Sequence, residues 1–195
     1  MRVQEEARKR LVQAAIALFA TRGYHNTTLA EIARESGYTR SIVRYYFSSK
    51  EELGYAAIDE WMRLFVEQAA GSRLNTEKHP IDRLIGMLDD FPTALRLEAI
   101  GSVAPGLAHG MAAVHEGFRN RLGENLAGIV AAIELTVSKG IAGGQIADSV
   151  NPGQLAHVFA TVCMGIRHAS LLWDQEVIWD DTRRWMKEYL DSLRR

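Results

Sequence analysis

The sequence predicts an all-α protein of about nine helices, with an N-terminal three-helix domain at residues 1–48 and a C-terminal helical bundle at residues 49–195. Two observations support this prediction. Apolar residues recur at helical spacing between prolines and glycines, and no segment shows the alternation typical of a strand. Residues 28–47 also have the pattern of two short helices joined by a tight turn.

The first two helices of the N-terminal domain are predicted from local signals. An apolar stripe at helical spacing predicts the first helix at about residues 4–21. Thr28, followed three residues later by Glu31, has the form of a capping box, which predicts the start of the second helix. Gly37 can end that helix, because glycine tolerates the left-handed conformation common at helix C-termini.

The third helix has two different faces. Thr39 is its expected N-cap, and Val43 and Phe47, four residues apart, are expected to point inward together. The opposite face carries Arg40, Ser41, Ile42, Arg44 and Tyr45. A helix that packs on one side and presents arginines, hydroxyls and an aromatic ring on the other suits the major groove of DNA. We therefore predict a helix-turn-helix at residues 28–47 that reads double-stranded DNA.

The distribution of charge agrees with this prediction. Residues 1–50 hold nine Lys and Arg against four Asp and Glu, whereas residues 51–195 hold fourteen against twenty, which leaves a total charge of −1. A basic patch neutralises phosphates and supplies much of the affinity for DNA that is independent of sequence. The acidic remainder is repelled by the duplex, so it favours a single docking orientation.

Six further helices are predicted in the bundle. Pro80 and Pro92 mark the starts of two short ones, because the first turn of a helix accepts proline. Apolar periodicity and the glycines between segments predict the others. The six helices are expected at about residues 49–70, 80–90, 93–103, 111–139, 152–173 and 180–195.

Several groups of residues in the first domain match a known family in order and spacing. They are Arg10–Phe19, Arg22–Tyr24, Thr27–Leu29, Ile32–Ala33, Gly37, Tyr45–Phe47 and Ser49–Leu53. From Arg10 to Leu53 the chain thereby resembles the DNA-binding domain of the TetR/AcrR transcriptional repressors. It departs from the family at three positions. Arg44 stands where the family commonly has tyrosine, Ile42 where it has threonine or serine, and Tyr46 where it has histidine. These positions lie on the reading face, so the departures concern the operator sequence and not the DNA binding.

The DNA contacts are expected to divide into two roles. Arg40 and Arg44 are the expected base readers, since arginine pairs bidentately with guanine, and Ile42 is expected to touch a thymine methyl group. The remaining side chains are expected to hold phosphates and set the register. The predicted DNA-binding residues are Thr28, Thr39, Arg40, Ser41, Ile42, Arg44, Tyr45, Tyr46 and Lys50.

The last two helices are expected to join two copies of the chain. Their apolar stripes are wider than one neighbour requires, and the family resemblance implies a four-helix interface between symmetry mates. A two-fold dimer would read two half-sites about 34–36 Å apart. The alternative is that both stripes only close the core of one chain. The predicted interface residues are Leu155, Phe159, Val162, Ile166, Trp185, Tyr189 and Leu193.

The resemblance also implies a small, largely apolar effector bound within the bundle. Helical bundles bind such ligands in apolar clefts that contain a few polar groups. The alternative for each candidate is an ordinary place in the core, because any core contains methionines and aromatic residues. The predicted lining residues are Trp61, Phe65, Met87, Phe91, Met111, His115, Phe118, Phe159, Met164 and His168.

Catalytic and metal-binding patterns do not stand out in the sequence. His157 and His168 lie on one helical face but about 16 Å apart along the axis, too far to share a metal ion. Cys163 is the single cysteine, which excludes an intrachain disulfide, and its apolar surroundings predict an inert thiol. We therefore expect no enzymatic activity, no metal and no cofactor.

These observations predict a transcriptional regulator, and more specifically a repressor that a small-molecule effector releases from a palindromic operator. The alternative is a TetR-like helical binding protein that acts on a protein or small-molecule partner without regulating transcription. No stretch approaches the roughly 20 apolar residues that span a bilayer. The N-terminus also lacks the apolar run of a secretory signal, so a cytoplasmic protein without membrane contact is expected.

Overall fold

The computed structural model describes residues 2–69, 78–96, 110–169 and 173–195, and these residues are helical apart from short connections. A short helical stretch at residues 110–114 and eight longer helices make nine helical segments in the described ranges. Among the described residues the sole β-type pairing is an isolated bridge between Ile146 and Arg194, so the all-α prediction is confirmed. The eight helices are α1 (Arg2–Arg22), α2 (Leu29–Ser36), α3 (Arg40–Tyr46), α4 (Lys50–Ala69), α5 (Pro80–Arg96), α6 (Glu116–Ala142), α7 (Pro152–Ala169) and α8 (Gln175–Ser192).

Local signals set the ends of α2 as predicted. The hydroxyl oxygen of Thr28 accepts a hydrogen bond from the backbone N–H of Glu31 at 3.2 Å, and the Glu31 carboxylate accepts one from the Thr28 N–H at 2.8 Å. This reciprocal pair is the predicted capping box. Gly37 follows the helix with a φ of +75°, in the left-handed region that glycine adopts without strain.

Two helix predictions in the bundle are wrong. A single helix, α5, continues through Pro92, where two helices had been expected. An interior proline costs about 3 kcal/mol, because it removes one hydrogen bond and crowds the preceding turn. The complete burial of Ile81, Leu84 and Leu88 in the core offsets that cost. The helix expected from about residue 111 is interrupted at His115, although the backbone hydrogen bonds from His115 N to Met111 O and from Arg119 N to His115 O span the break.

The last helix begins earlier than predicted, at Gln175. Asp174 is its N-cap, and one carboxylate oxygen of Asp174 accepts hydrogen bonds from the N–H groups of Glu176 and Val177 at 2.9 and 3.2 Å. These bonds satisfy two N–H groups that have no partner within the helix. An aspartate followed by a helix-forming segment was the signal that could have located this end.

The described residues form two compact units. The first holds residues 2–64 and 110–124, and the second holds residues 65–69, 78–96, 125–169 and 173–195. This division does not coincide with the predicted boundary at residue 48, because the start of α6 packs on the first half of α4. Helices α4 and α6 each run from one unit into the other.

The second unit is built around a core shared by α5, α6, α7 and α8. Fully or almost fully buried apolar side chains from all four helices meet there, and partly buried ones such as Val162, Trp179 and Leu193 pack against them. An ion pair of 2.6 Å between Arg183 and Asp89 joins α8 to α5. The principal core residues are Ile81, Leu84, Leu88, Ile133, Val137, Leu155, Phe159, Met186 and Leu190.

Helix α6 is the one described helix that is long and apolar enough to cross a membrane by length and composition. The criterion is weak for a single helix, since a core helix of a protein in water can meet it equally well. The most apolar part of α6 also includes the charged residues Glu134 and Lys139.

Candidate nucleic-acid interface

Helix α3 has the two faces that the sequence predicts. Val43 and Phe47 are buried, and they anchor α3 in the first unit. Arg44 and Tyr45 are exposed on the other side, and 70% of the Tyr45 side chain is accessible to solvent. Among the remaining predicted contacts on this segment, Thr39, Arg40 and Ser41 are exposed, whereas Ile42 and Tyr46 are half-buried. The helix therefore presents a cationic and aromatic surface on a fixed apolar base.

Neighbouring side chains organise this exposed face. The rings of Tyr45 and Tyr46 meet edge to face, with their centroids 5.0 Å apart. Thr39 lies at the N-cap of α3 as predicted, but its hydroxyl makes no capping bond and instead lies 3.0 Å from the Ser41 hydroxyl. Two hydroxyls thus lie together at the start of the helix, where a phosphate would also meet the N-terminal N–H groups of α3.

Thr28 already has a structural role. Its hydroxyl accepts a hydrogen bond from Glu31 N and donates one of 2.9 Å to the Glu31 carboxylate. The hydrogen bonds from the Thr28 backbone and side chain hold the pKa of Glu31 below its ordinary value. Arg22 reaches the same carboxylate at 3.1 Å. A phosphate contact by the Thr28 side chain would compete with the capping box.

Lys50 lies at the start of α4 and points back toward the helix-turn-helix. Its ammonium group donates hydrogen bonds to the backbone oxygens of Tyr24 and Thr27 at 2.8 and 2.9 Å. The same nitrogen lies 4.3 Å from the centre of the Tyr24 ring, a cation–π distance. Burial lowers the pKa of Lys50. Since an ammonium group has three N–H donors, one remains for the predicted phosphate contact.

The predicted effector-pocket residues are divided between the two units. Trp61, Met111, His115 and Phe118 belong to the first unit, and the other six belong to the second. Met111 and Phe118 are completely buried, and Met87 and Phe159 belong to the core of the second unit, so their place in an effector pocket stays a prediction. Met164 is exposed. The side chains of Phe65, Phe91 and His168 lie outside the described residues.

The predicted dimer residues all belong to the second unit, and they differ in their exposure to solvent. Leu155, Phe159 and Ile166 are almost completely buried within their own chain, so they offer almost no surface to a second copy. Val162 and Leu193 pack against the core of the second unit. Trp185 and Tyr189 are exposed on α8, and their rings stack with centroids 5.7 Å apart. The large exposed apolar side chains of α7 and α8 are Val158, Met164, Val177, Trp185 and Tyr189.

The sequence already contained a signal for the outer face of α7. Leu155, Phe159 and Val162 lie on the side of α7 that faces the core, whereas the exposed Val158, one residue before Phe159, is turned about 100° away from it. The predicted wide stripe of α7 combined these two sides of the helix. Cys163 packs against the core of the second unit, and burial raises the pKa of its thiol to about 12, as expected for an inert cysteine.

Comparison with known proteins agrees with the helix-turn-helix. Residues 11–57 match the family of bacterial regulatory proteins described as the tetR family. The HTH-type transcriptional regulator TtgR of Pseudomonas putida is 26% identical over 194 residues, which cover 97% of this chain and 92% of that protein. The HTH-type transcriptional regulator HbdR of Aromatoleum sp. (strain CIB) is 30% identical over 80 residues, which are 41% of this chain and 34% of that protein.

The similarity in three dimensions extends over the whole chain. A TetR transcriptional regulator from Chloroflexus aurantiacus J-10-FL, solved by crystallography, superimposes with a TM-score of 0.87 at 25% sequence identity. The match covers 100% of this chain and 99% of that chain. Both relatives are named as transcriptional regulators, in agreement with the regulatory function predicted from the sequence. The chain is therefore a helix-turn-helix transcriptional regulator, with a tetR-family DNA-binding domain at residues 11–57 and the fold of a TetR regulator.

Proposed function

We propose that this regulator is a repressor that binds a palindromic operator as a two-fold dimer and that a small-molecule effector releases it. The observation that carries the proposal is the exposed face of α3, where Arg40, Arg44 and Tyr45 stand on a buried base of Val43 and Phe47. Such a helix has the shape and chemistry to enter the major groove. Its place of action is the cytoplasm.

The two kinds of DNA contact are assigned to different parts of this surface. Arg40 and Arg44 read bases, and Ile42 contributes an apolar contact from its half-buried position. Thr39, Ser41 and the two tyrosines hold phosphates, together with the remaining N–H of Lys50. Since Thr28 is engaged in the capping box, its contribution to DNA binding is mainly to place α2.

The exposed apolar side chains of the last two helices support the dimer. Trp185 and Tyr189 form a stacked pair at the surface of α8, and Val158 lies exposed on α7. Large apolar groups gathered at a surface are favourably removed from water by a partner. A second copy of the chain is the partner that a palindromic operator requires.

Effector coupling is supported by the continuity of the chain. Phe47 ends the reading helix, and α4 begins three residues later and runs from the first unit into the second. A ligand bound within the bundle can therefore move α4, and with it the spacing of the two reading helices. A largely apolar effector fits the composition of the bundle, and the coupling is typically about 1–3 kcal/mol.

The test begins with selection of duplexes from a random pool by the purified protein. Selected duplexes should be palindromic, with half-sites about one helical turn apart, and binding should weaken steeply as salt is raised. A compound that stabilises the protein against heat should then bind about 5- to 150-fold more weakly in the presence of the operator. If no duplex is enriched, the protein is the alternative, a helical binding protein without a regulatory role.

A further inference from the structure

Helices α4 and α6 interlock through two glycines and two aromatic rings. A Cβ atom on Gly54 of α4 would lie 2.6 Å from the Phe118 ring of α6. A Cβ atom on Gly117 of α6 would lie 1.9 Å from the Tyr55 hydroxyl of α4. Each ring thus occupies the space that the opposing glycine leaves open, and the two rings meet edge to face with centroids 4.9 Å apart.

Polar pairs extend this contact on both sides. Glu51 of α4 lies 3.5 Å from the ring nitrogen Nε2 of His115, just before α6. Two turns further along, Asp59 forms an ion pair of 3.2 Å with Arg121. One side of α4 presents three side chains at four-residue spacing, namely Glu51, Tyr55 and Asp59. Their partners, His115, Phe118 and Arg121, follow in the same order along the chain. All these residues lie within the first unit, so the contact is internal to one compact body.

The interlock reaches the helix-turn-helix through Phe118. Its ring contacts the Tyr24 ring edge to face, with centroids 5.0 Å apart. The Lys50 ammonium group lies over the Tyr24 ring. It also donates a hydrogen bond to the backbone oxygen of Thr27, the residue before the N-cap of α2. The start of α6 is therefore in direct contact with the turn that precedes the reading motif. This contact is independent of the chain connection through α4.

We propose that Gly54, Tyr55, Gly117 and Phe118 are positioning residues for DNA binding. The packing of α6 against α4 and Tyr24 holds α3 in one orientation. Little conformational entropy is therefore lost when the operator binds. The inference rests on the proposed function, since it concerns operator affinity. Glycine is required at position 117 because any Cβ there overlaps the Tyr55 hydroxyl oxygen.

The decisive variant is Gly117→Ala, which forces either Tyr55 or α6 to move. The matched control is Gly123→Ala on the same helix, where no described atom lies within 4 Å of the added carbon. The rescue is Gly117→Ala combined with Tyr55→Phe, which removes the overlapping oxygen. The next nearest described atom is then Cε1 of His115 at 3.1 Å, a contact that a small ring shift relieves.

Operator affinity is measured by fluorescence anisotropy, with a duplex selected by the wild-type protein, at one fixed salt concentration. Gly117→Ala should weaken operator binding about fivefold or more, because the reading helix becomes less ordered before binding. Gly123→Ala and the rescue variant should remain within about twofold of wild type. An unchanged affinity for Gly117→Ala, or a loss that Tyr55→Phe does not restore, would overturn the inference.

Amide hydrogen exchange provides a measurement that does not need DNA. Gly117→Ala should accelerate exchange across residues 24–33, and Gly123→Ala should not. Equal exchange in both variants would also overturn the inference. If the wild-type protein selects no duplex, the proposed function is wrong. Hydrogen exchange still tests whether the contact between α4 and α6 orders the helix-turn-helix. If Gly117→Ala does not fold, the inference requires that the rescue variant folds.

Discussion

The ammonium nitrogen of Lys50 lies 4.3 Å above the Tyr24 ring and also donates a hydrogen bond of 2.8 Å to the Tyr24 backbone oxygen. The first residue of α4 is thereby bound to the turn between α1 and α2. The bond to Thr27 O, at 2.9 Å, extends the same connection to the start of the reading motif. A residue predicted for phosphate contact therefore also stabilises the fold of the first unit.

Replacing Lys50 should destabilise the protein even in the absence of DNA. Lys50→Met keeps the aliphatic stem but leaves the two backbone oxygens without their donor. We expect a loss of about 1–3 kcal/mol in the free energy of unfolding, measured by urea denaturation. Lys9→Met, at an exposed position of α1, is the control and should change stability little. Equal free energies of unfolding in the two variants would show that the contacts of Lys50 with Tyr24 and Thr27 do not stabilise the fold.

The capping box should make the stability of α2 depend on pH. The pKa of Glu31 is lowered in the folded chain, so its contribution to stability is present above the ordinary glutamate pKa and is lost as pH falls through the lower, folded value. As the pH is lowered below about 4.5, the melting temperature of the Glu31→Gln variant should therefore fall less than that of the wild-type protein. Glu35→Gln, at an exposed position of the same helix, is the matched control. The same acid sensitivity in wild type and Glu31→Gln would contradict the assignment.

Arg44 should read sequence and not only charge. Arg44→Ala should cost about 1–3 kcal/mol of operator affinity and relax the preference at one base position of each half-site. Arg34→Ala, on the exposed part of α2, removes the same charge from a helix that is not expected to read bases. Anisotropy titrations with operator and random duplexes separate the two effects. Equal losses on both duplexes for Arg44→Ala would refute base reading.

The dimer prediction now depends on exposed residues. Trp185→Asp should give particles of 21.8 kDa by light scattering where wild type gives twice that mass, with unchanged helical content. Lys187→Gln, at another exposed position of α8, should remain dimeric. A wild-type protein that is monomeric at micromolar concentration would contradict both the dimer and the palindromic operator.

Phe159 provides a contrasting variant, because its side chain is 1% exposed within its own chain. Phe159→Ala should lower the free energy of unfolding by about 3–5 kcal/mol through the cavity that it leaves, as measured by urea denaturation. A charge at this position would unfold the second unit before it could report on assembly.

The helix-turn-helix could be predicted from the sequence because its determinants are local. The Thr28–Glu31 capping box joins residues three apart, and Gly37 ends α2 through its own backbone conformation. The burial of Val43 and Phe47 follows from their spacing on one short helix. Each of these features depends on groups that remain near one another in any arrangement of the chain, so the pattern of residue types was sufficient.

The remaining features depend on partners that are distant in sequence. Phe159 faces the core while Trp185 faces solvent, although both lie on apolar stripes, because the packing of α5 through α8 determines which side of each helix is covered. Lys50 bonds to oxygens more than 20 residues earlier, and Gly117 faces a tyrosine on another helix. Helical periodicity defines the faces of a helix but not their neighbours, and the neighbours are determined by the packing of the whole chain.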